Sequence, residues 1–203
     1  MKANPVLVGL TGGIGSGKSA VASLLQKKGA VIVDADAISH AATASNGTAT
    51  LEIATTFGPE FINQDGALDR QMMREFAFKD STAKKKLERI LHPLVRREML
   101  AQAKLATSRG ATCVIFDIPL LVESGSWRNS LNTVLVVDCT VATQILRVKA
   151  RSGLALEIVQ SIISAQASRG DRLHAADIVL FNEGCSLEQL AIQVQAIALE
   201  IGL

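Results

Sequence analysis

The sequence predicts an α/β fold, a doubly wound parallel sheet with helices on both faces. Short apolar runs of strand length alternate with longer segments whose apolar residues recur at helical spacing, and this alternation is typical of parallel sheets buried on both sides. A glycine-rich turn joins the first strand to the first helix. With 203 residues, 48% of them hydrophobic, the chain can bury a sizeable core and suits one domain, residues 1–203, with helical insertions.

Five segments are predicted to be strands because each is short, apolar and mostly β-branched. They are Val6 to Thr11, Ala30 to Val33, Val114 to Phe116, Thr133 to Val137 and Ile178 to Phe181.

Helical spacing marks the segments between these strands. The predicted helices are Ser19 to Lys28, Lys84 to Leu105, Ala142 to Arg151, Leu156 to Gln166, and a last helix that begins at a capping box of Ser186 and Gln189. Pro93 is expected to divide or kink the long second helix. The last helix is expected to bury a stripe made of Leu187, Leu190, Ala191, Val194, Ile197 and Ile201.

Two helical regions interrupt the alternation of strands and helices. Residues from about 37 to 105 contain no good strand and are predicted to form a helical insertion between the second and third strands. Residues from about 141 to 176 form a second helical region that is rich in arginine.

Composition argues against several classes of protein. The net charge is only +2 and aromatic residues make up 3% of the chain, which argues against nucleic-acid binding. The three cysteines, Cys113, Cys139 and Cys185, are odd in number and lack the paired spacing of a zinc site or a disulfide framework, so a reducing compartment is expected. Residues 1–5 do not resemble a signal peptide, and no apolar run reaches membrane-spanning length. We therefore expect a cytoplasmic protein that binds neither membrane nor nucleic acid.

The glycine-rich turn from Gly12 to Ser19 fits the pattern Gly-x-x-x-x-Gly-Lys-Ser/Thr. Glycines let successive backbone N–H groups converge on phosphate oxygens, and the helix that follows adds its positive end. Lys18 is expected to reach the β- and γ-phosphates of ATP, and the Ser19 hydroxyl to ligate Mg²⁺. The predicted nucleotide contacts are Gly13, Ile14, Gly15, Ser16, Gly17, Lys18, Ser19 and Ala20. The alternative is a glycine-rich turn without a ligand.

Carboxylates follow two of the predicted strands, at the edge where open α/β sheets bind ligands. Asp34 and Asp36 follow the second strand, and either can accept the proton of an attacking hydroxyl group. The alternative for Asp36 is a cap on a helix that begins near Ala37. Asp117 follows the third strand and is a candidate Mg²⁺ ligand, or else a turn residue beside Pro119.

Arginines of the second helical region are candidates for stabilising a transferring phosphoryl group. Arg147 and Arg151 lie four residues apart and share a helix face, and Arg169 and Arg172 follow in the next segment. The alternative is a solvated helix face. His92 is expected either to lie at a helix junction or to shape the substrate site. Glu123 is expected to be a substrate contact or a surface charge.

Several segments together resemble the dephospho-coenzyme A kinase family, over nearly the whole chain and in order. They are Gly9 to Ser19, Asp34 to Asp36, Asp65 to Arg70, Leu91 to Leu94, Pro119 to Glu123, Arg147, Arg151, Gln166, Ala176 to Ile178, and Asn182. The chain departs from the family at Val122, where an aromatic residue is usual, and at Ser39-His40, where an arginine is common.

The resemblance implies a P-loop kinase fold and transfer of the ATP γ-phosphoryl group to the 3′-hydroxyl of the dephospho-coenzyme A ribose. It implies Lys18, Asp36 and Arg147 as catalytic residues, with Asp34 beside Asp36. It also implies that residues from about 141 to 176 form a lid over ATP, to which Arg147 and Arg151 belong. The helical insertion would hold the substrate, whose implied contacts are Asp34, Arg70, His92, Leu121 and Glu123. The oligomeric state is expected to be a monomer or a small homo-oligomer.

Three other functions compete with this interpretation. One is a kinase of the same fold for a nucleoside, a nucleotide or a sugar acid. Another is a nucleotide-dependent switch protein, which would need an Asn-Lys-x-Asp motif that the sequence lacks. The third is an ATP-binding assembly module, in which Asp36 and the arginines would have no evident purpose.

Overall fold

The computed structural model describes residues 5–80 and 82–203 of the chain, so most of the N-terminal segment considered for a signal peptide lies outside the described residues. The chain divides into two compact units. One unit comprises Met1–Val33 and Ala103–Leu203, and the other comprises Asp34–Gln102. The bounds of the second unit lie within three residues of the insertion expected from the sequence.

The first unit contains a parallel five-stranded sheet with the strand order β2-β3-β1-β4-β5. The strands are β1 Val6–Gly12, β2 Val31–Asp34, β3 Cys113–Asp117, β4 Thr133–Asp138 and β5 Ile178–Phe181. All five predicted strands are confirmed, with bounds within one residue of the prediction.

β1 lies between β3 and β4. Leu10 of β1 pairs with Asp117 of β3, and Thr11 of β1 pairs with Val136 of β4. The connection from β1 leads to β2 on one side of the sheet, and the connection from β3 leads to β4 on the other side. The two connections therefore run in opposite directions across the sheet. Adjacent strands with opposite connections open a crevice at their carboxyl ends, which is where α/β sheets bind ligands. The end of β1 is the glycine-rich turn, and the end of β3 is Asp117.

Helices of the first unit cover the sheet. They are α1 Lys18–Lys27, α6 Leu121–Ser124, α7 Val141–Ser152, α8 Leu156–Ser164, α9 Arg169–Ala175 and α10 Leu187–Glu200. α1 and α10 pack on the same core, in which Val21, Leu25 and Val194 contact a cluster that includes Leu10 of β1. The capping box of Ser186 and Gln189 is confirmed.

The buried stripe of α10 begins one turn later than the sequence predicts. Leu187 is 76% exposed, whereas Leu190 is buried. Side chains on a helix lean toward its N-terminus and cover the preceding turn. The first residue of a helix has no preceding turn, so the Leu187 side chain extends past the helix end into solvent.

The second unit is helical. Its helices are α2 Ala35–Ala42, α3 Thr50–Phe57, α4 Arg70–Lys79 and most of α5, Ala83–Ser108. Its core includes Ile53, Met73 and Ile90, and the rings of Phe57, Phe61 and Phe76 pack with centroids 5.2–6.2 Å apart.

The sequence predicts that Pro93 divides or kinks the long helix. α5 runs unbroken through Pro93, so a division of the helix is wrong, and a kink stays a prediction. A proline removes one backbone hydrogen bond, here to the carbonyl of Arg89. Both residues are exposed, and water can hydrate the released carbonyl, which allows the helix to continue.

Two of the cysteines lie in the core of the first unit. Cys113 and Cys139 are buried, and burial raises the pKa of the Cys113 thiol to about 11. Within the described ranges, every helix is too short or too polar to cross a bilayer.

Candidate active site

The phosphate loop, Gly12 to Ser19, connects β1 to α1 in the first unit. Gly15 and Gly17 have φ angles of 75° and 97°, in the left-handed region that glycine adopts without strain. Gly17 is also the N-cap of α1 and has no side chain with which to cap it. The first N–H groups of α1 are therefore oriented as in helix termini that bind anions.

Neighbouring side chains hold the back of the phosphate loop. Asn182, just after β5, donates from Nδ2 to the Ser16 carbonyl at 2.8 Å. Arg147 of α7 donates from Nη1 to the Ser16 carbonyl at 3.2 Å and from Nη2 to the Asn182 carbonyl at 3.0 Å. A Cβ atom at Gly17 would collide with the Asn182 amide. These bonds fix the direction of the loop carbonyls, which leaves the opposite face of the loop to the N–H groups.

The guanidinium of Arg147 thus contacts the loop backbone. The sequence predicts that it stabilises the transferring phosphoryl group, and that role stays a prediction. What its contacts support directly is a positioning role for Ser16 and the loop.

Lys18 and Asp117 form an ion pair at the mouth of the loop. Sequence reasoning chose the two residues for separate reasons, and the sheet brings them together because Asp117 ends the strand beside β1. Their side chains are 17% and 9% exposed, so the pair is weakly screened by solvent. The Ser19 hydroxyl, at the start of α1, is exposed. The mouth of the loop therefore presents an ammonium, a carboxylate and a hydroxyl group.

The connection between α8 and α9 is tied to the phosphate loop. Gln166 accepts from the Ile14 N–H at 2.9 Å through Oε1. Glu123 of α6 accepts from the Ala167 N–H at 2.7 Å. The sequence predicts Glu123 as a substrate contact, and its observed partner is this connection. One of its two carboxylate oxygens is thereby engaged within the first unit.

Other arginines of the predicted lid have different surroundings. Arg169 forms a bidentate pair with the buried Asp138, with Nε at 3.0 Å from both oxygens and Nη2 at 2.7 Å from one. Arg151 is exposed on α7, so its predicted contact with ATP stays a prediction. Arg172 is 4% exposed and donates from Nη1 to the Ala167 carbonyl.

Some buried polar atoms beside the loop have no hydrogen-bond partner among the described residues. They are the Oγ of Ser16 and both amide atoms of Gln144, a residue of α7 that is 1% exposed. Burying a polar group without a partner is unfavourable. Such atoms beside a loop with this geometry are typical of a site that a ligand completes.

Asp34 and Asp36 begin the second unit. Asp34 is the N-cap of α2 and accepts from the N–H groups of Asp36 and Ala37 at 2.8 and 3.0 Å. The alternative in which Asp36 is the cap is therefore wrong, because the helix begins at Ala35 rather than near Ala37. Asp36 lies in the first turn with its side chain exposed.

The remaining predicted substrate contacts fall in both units. Arg70 donates to the Thr43 hydroxyl at 2.7 Å, and His92 is exposed on α5. Leu121 belongs to the first unit, is 4% exposed, and packs against Gly9 of β1, where an added Cβ would lie 2.6 Å from its Cδ1. The Leu121 side chain thus has a packing role in this structure.

Sequence reasoning assigned no role to Gln144 or Asp138 and used Asn182 only as part of a family pattern. Asp138 is the last residue of β4, as Asp117 is of β3, and Asn182 directly follows β5. The rule that polar residues at strand ends line the ligand edge could therefore have identified both Asp138 and Asn182. Gln144 has no such signal, because a glutamine on a helix is usually solvated.

Comparisons with known proteins agree with this geometry. Residues 6–188 match the family model described as dephospho-CoA kinase. The chain is 56% identical over 198 residues to the dephospho-CoA kinase of Albidiferax ferrireducens, covering 98% of this chain and 93% of the relative. Among solved structures, a protein from Thermus thermophilus has a TM-score of 0.81 at 36% identity, over 98% of both chains. The dephospho-CoA kinase from Campylobacter jejuni has a TM-score of 0.72 at 26% identity, over 96% of this chain and 98% of its own.

Proposed function

This chain belongs to the dephospho-CoA kinase family, and from that premise we propose that it transfers the γ-phosphoryl group of ATP to the 3′-hydroxyl of dephospho-CoA. The observation that carries the proposal is the Lys18–Asp117 pair at the mouth of the phosphate loop. A nucleotide held by the loop N–H groups would have its β- and γ-phosphates within reach of the Lys18 ammonium. The reaction completes coenzyme A.

The residues at the loop fit a magnesium–nucleotide complex. Ser19 and Asp117 would hold Mg²⁺, because hydroxyl and carboxylate oxygens are the hard ligands that this ion prefers. The described ranges contain no group of three or more His, Cys, Asp or Glu side chains placed to hold a metal, so the ion would take its other ligands from phosphate and water. When bound, it neutralises charge on the β- and γ-oxygens.

The protein contributes mainly positioning and electrostatics. Asn182 and Arg147 hold the loop carbonyls, which orients the N–H groups before the nucleotide arrives. Asp36 is the proposed base for the ribose hydroxyl. It follows the carboxyl end of β2 and, unlike Asp34, does not cap α2.

Phosphoryl transfer to a panel of acceptors tests the proposal. Purified protein is incubated with Mg²⁺ and γ-labelled ATP, with dephospho-CoA, adenosine, AMP or shikimate as the acceptor. We expect dephospho-CoA to be phosphorylated at the 3′-position, identified by NMR, and the others to react far more slowly. Faster transfer to any other acceptor would assign the chain a different substrate.

We also propose a cytoplasmic location and a monomer or small homo-oligomer.

A further inference from the structure

Arg172 of α9 is a buried cation that forms no ion pair among the described residues. It is 4% exposed, and the one described hydrogen bond of its guanidinium runs from Nη1 to the Ala167 carbonyl. The carboxylate of the preceding residue, Asp171, interacts with it electrostatically, but that carboxylate is exposed and bound to the Ser168 hydroxyl. A buried charge is unfavourable unless an opposite charge compensates it. Asp138, whose side chain is 3% exposed, shows the ordinary solution, a bidentate pair with Arg169, which lies three residues before Arg172 on the same helix.

The free side of the Arg172 guanidinium lies against the phosphate loop. A Cβ atom placed on Gly13 would lie 2.8 Å from Arg172 Nη2 and would also overlap the Gln144 amide nitrogen. Gln144 is itself 1% exposed, and both of its amide atoms lack a partner within the described ranges. Two buried donors, one of them cationic, therefore meet at the first glycines of the loop.

The other arginines of the region are committed elsewhere. Arg147 donates to the carbonyls of Ser16 and Asn182, Arg169 is paired with Asp138, and Arg151 is exposed on α7. Of these four arginines, Arg172 alone is buried beside the loop and forms neither an ion pair nor a hydrogen bond to the loop carbonyls.

We propose that Arg172 binds the terminal phosphoryl group of the nucleotide, with the Gln144 amide as a second donor to the same anion. Backbone N–H groups of such a loop cradle the inner phosphates, so a side-chain cation adds most at the terminal group, where negative charge shifts during transfer. The planar guanidinium also matches the geometry of a phosphate oxygen pair. This inference rests on the proposed function, since it requires a nucleoside triphosphate in the loop.

The test compares Arg172→Gln with Arg169→Gln, the same change one turn away. Affinities for ATP and ADP are measured with Mg²⁺ by calorimetry, together with kcat and the thermal midpoint without nucleotide. For Arg172→Gln we expect the ATP affinity to fall at least ~10-fold more than the ADP affinity and kcat to fall by ~10²–10³. Its thermal midpoint should not fall, because the substitution removes a buried charge that no ion pair compensates.

Arg169→Gln should behave in the opposite way. Its thermal midpoint should fall because Asp138, with a side chain 3% exposed, loses its partner, while the ratio of ATP to ADP affinity stays that of the wild type. Arg172→Lys keeps the charge without the fork and should restore part of the ATP preference.

A lower thermal midpoint for Arg172→Gln with an unchanged ATP to ADP ratio would overturn the inference and make Arg172 a structural residue. If Arg172→Gln does not fold, Arg172→Lys decides, and wild-type kcat and affinity ratio in that variant would overturn it. Failure of the wild type to phosphorylate dephospho-CoA would instead refute the proposed function, and the ratio of affinities would still report on Arg172.

Discussion

Gln144→Met tests whether the buried amide beside the phosphate loop is kept for binding rather than for folding. The side chain is 1% exposed and both of its polar atoms lack partners among the described residues. A buried polar group left without a hydrogen bond costs about 1–3 kcal/mol in proteins, and methionine fills nearly the same volume without polar atoms. The substitution should therefore stabilise the fold by about 1–3 kcal/mol in the absence of nucleotide.

The expected gain is large enough to measure. For a chain of 150–250 residues, 1 kcal/mol shifts the thermal midpoint by about 2–4 °C, so the midpoint of Gln144→Met should rise by roughly 2–12 °C in calorimetry. The added stabilisation by saturating ATP should be smaller in the variant than in the wild type, because one donor to the nucleotide is lost. A lower midpoint without nucleotide would refute this reasoning, since it would mean that the amide is already satisfied in the folded protein.

Substitutions at three other residues test separate features of the first unit. Lys18→Ala should lower kcat by at least ~10² while the protein remains folded by circular dichroism, and near wild-type turnover would contradict the role of the loop. Arg147→Lys should lower the turnover rate, and Arg147→Ala should lower it further, because both lose the planar guanidinium that holds two carbonyls. Equal turnover rates for both variants and the wild type would remove Arg147 from the site. The hydroxyl of Thr143, followed by the backbone N–H of Thr140, lowers the pKa of Glu183 below its ordinary value. The ionised carboxylate therefore stabilises the fold at neutral pH, and this contribution disappears as the pH falls through the folded-state pKa. Thermal midpoints between pH 6 and pH 3 should accordingly fall less steeply for Glu183→Gln than for the wild type, and parallel curves would contradict the assignment.

Much of the fold follows from local sequence because the strands of this sheet are buried on both faces. Continuous apolar runs such as residues 113–117 leave little choice of structure. Pro93 shows where local rules fail, since the effect of a proline depends on whether solvent can hydrate the carbonyl that it releases. That exposure is a tertiary property which the sequence around Pro93 does not contain.

The site divides in the same way. The phosphate loop is readable because its chemistry lies in consecutive residues, Gly12 to Ser19. The supports of the loop come from α7, the connection between α8 and α9, and the end of β5. Only the packing of these elements shows that Arg147 contacts loop carbonyls, whereas Arg169 is neutralised by Asp138. Arginine spacing on a helix defines which residues share a face, but the charge that each one meets depends on the neighbouring elements.

The capping geometry of α2 makes Asp36→Asn a sharp test of the proposed base. Asp34 holds the N–H groups at the start of the helix, so the change at Asp36 leaves the cap intact. Asparagine keeps the size and the ability to hydrogen-bond the ribose hydroxyl but is a very poor base. We expect kcat to fall by ~10²–10⁴ with dephospho-CoA, with the ATP affinity and the thermal midpoint close to those of the wild type.

Asp34→Asn is the matched control, because asparagine and aspartate cap helices almost equally well. It should retain both the helix and most of the turnover if Asp36 is the base. Steady-state kinetics of the two variants, with ATP affinity measured by calorimetry, separate the two carboxylates. Normal kcat in Asp36→Asn together with a large loss in Asp34→Asn would assign the proton transfer to Asp34, whose second carboxylate oxygen is not used in the cap. Normal turnover in both variants would exclude either residue as the base and would mean that positioning by the phosphate loop and its bound ion suffices for transfer.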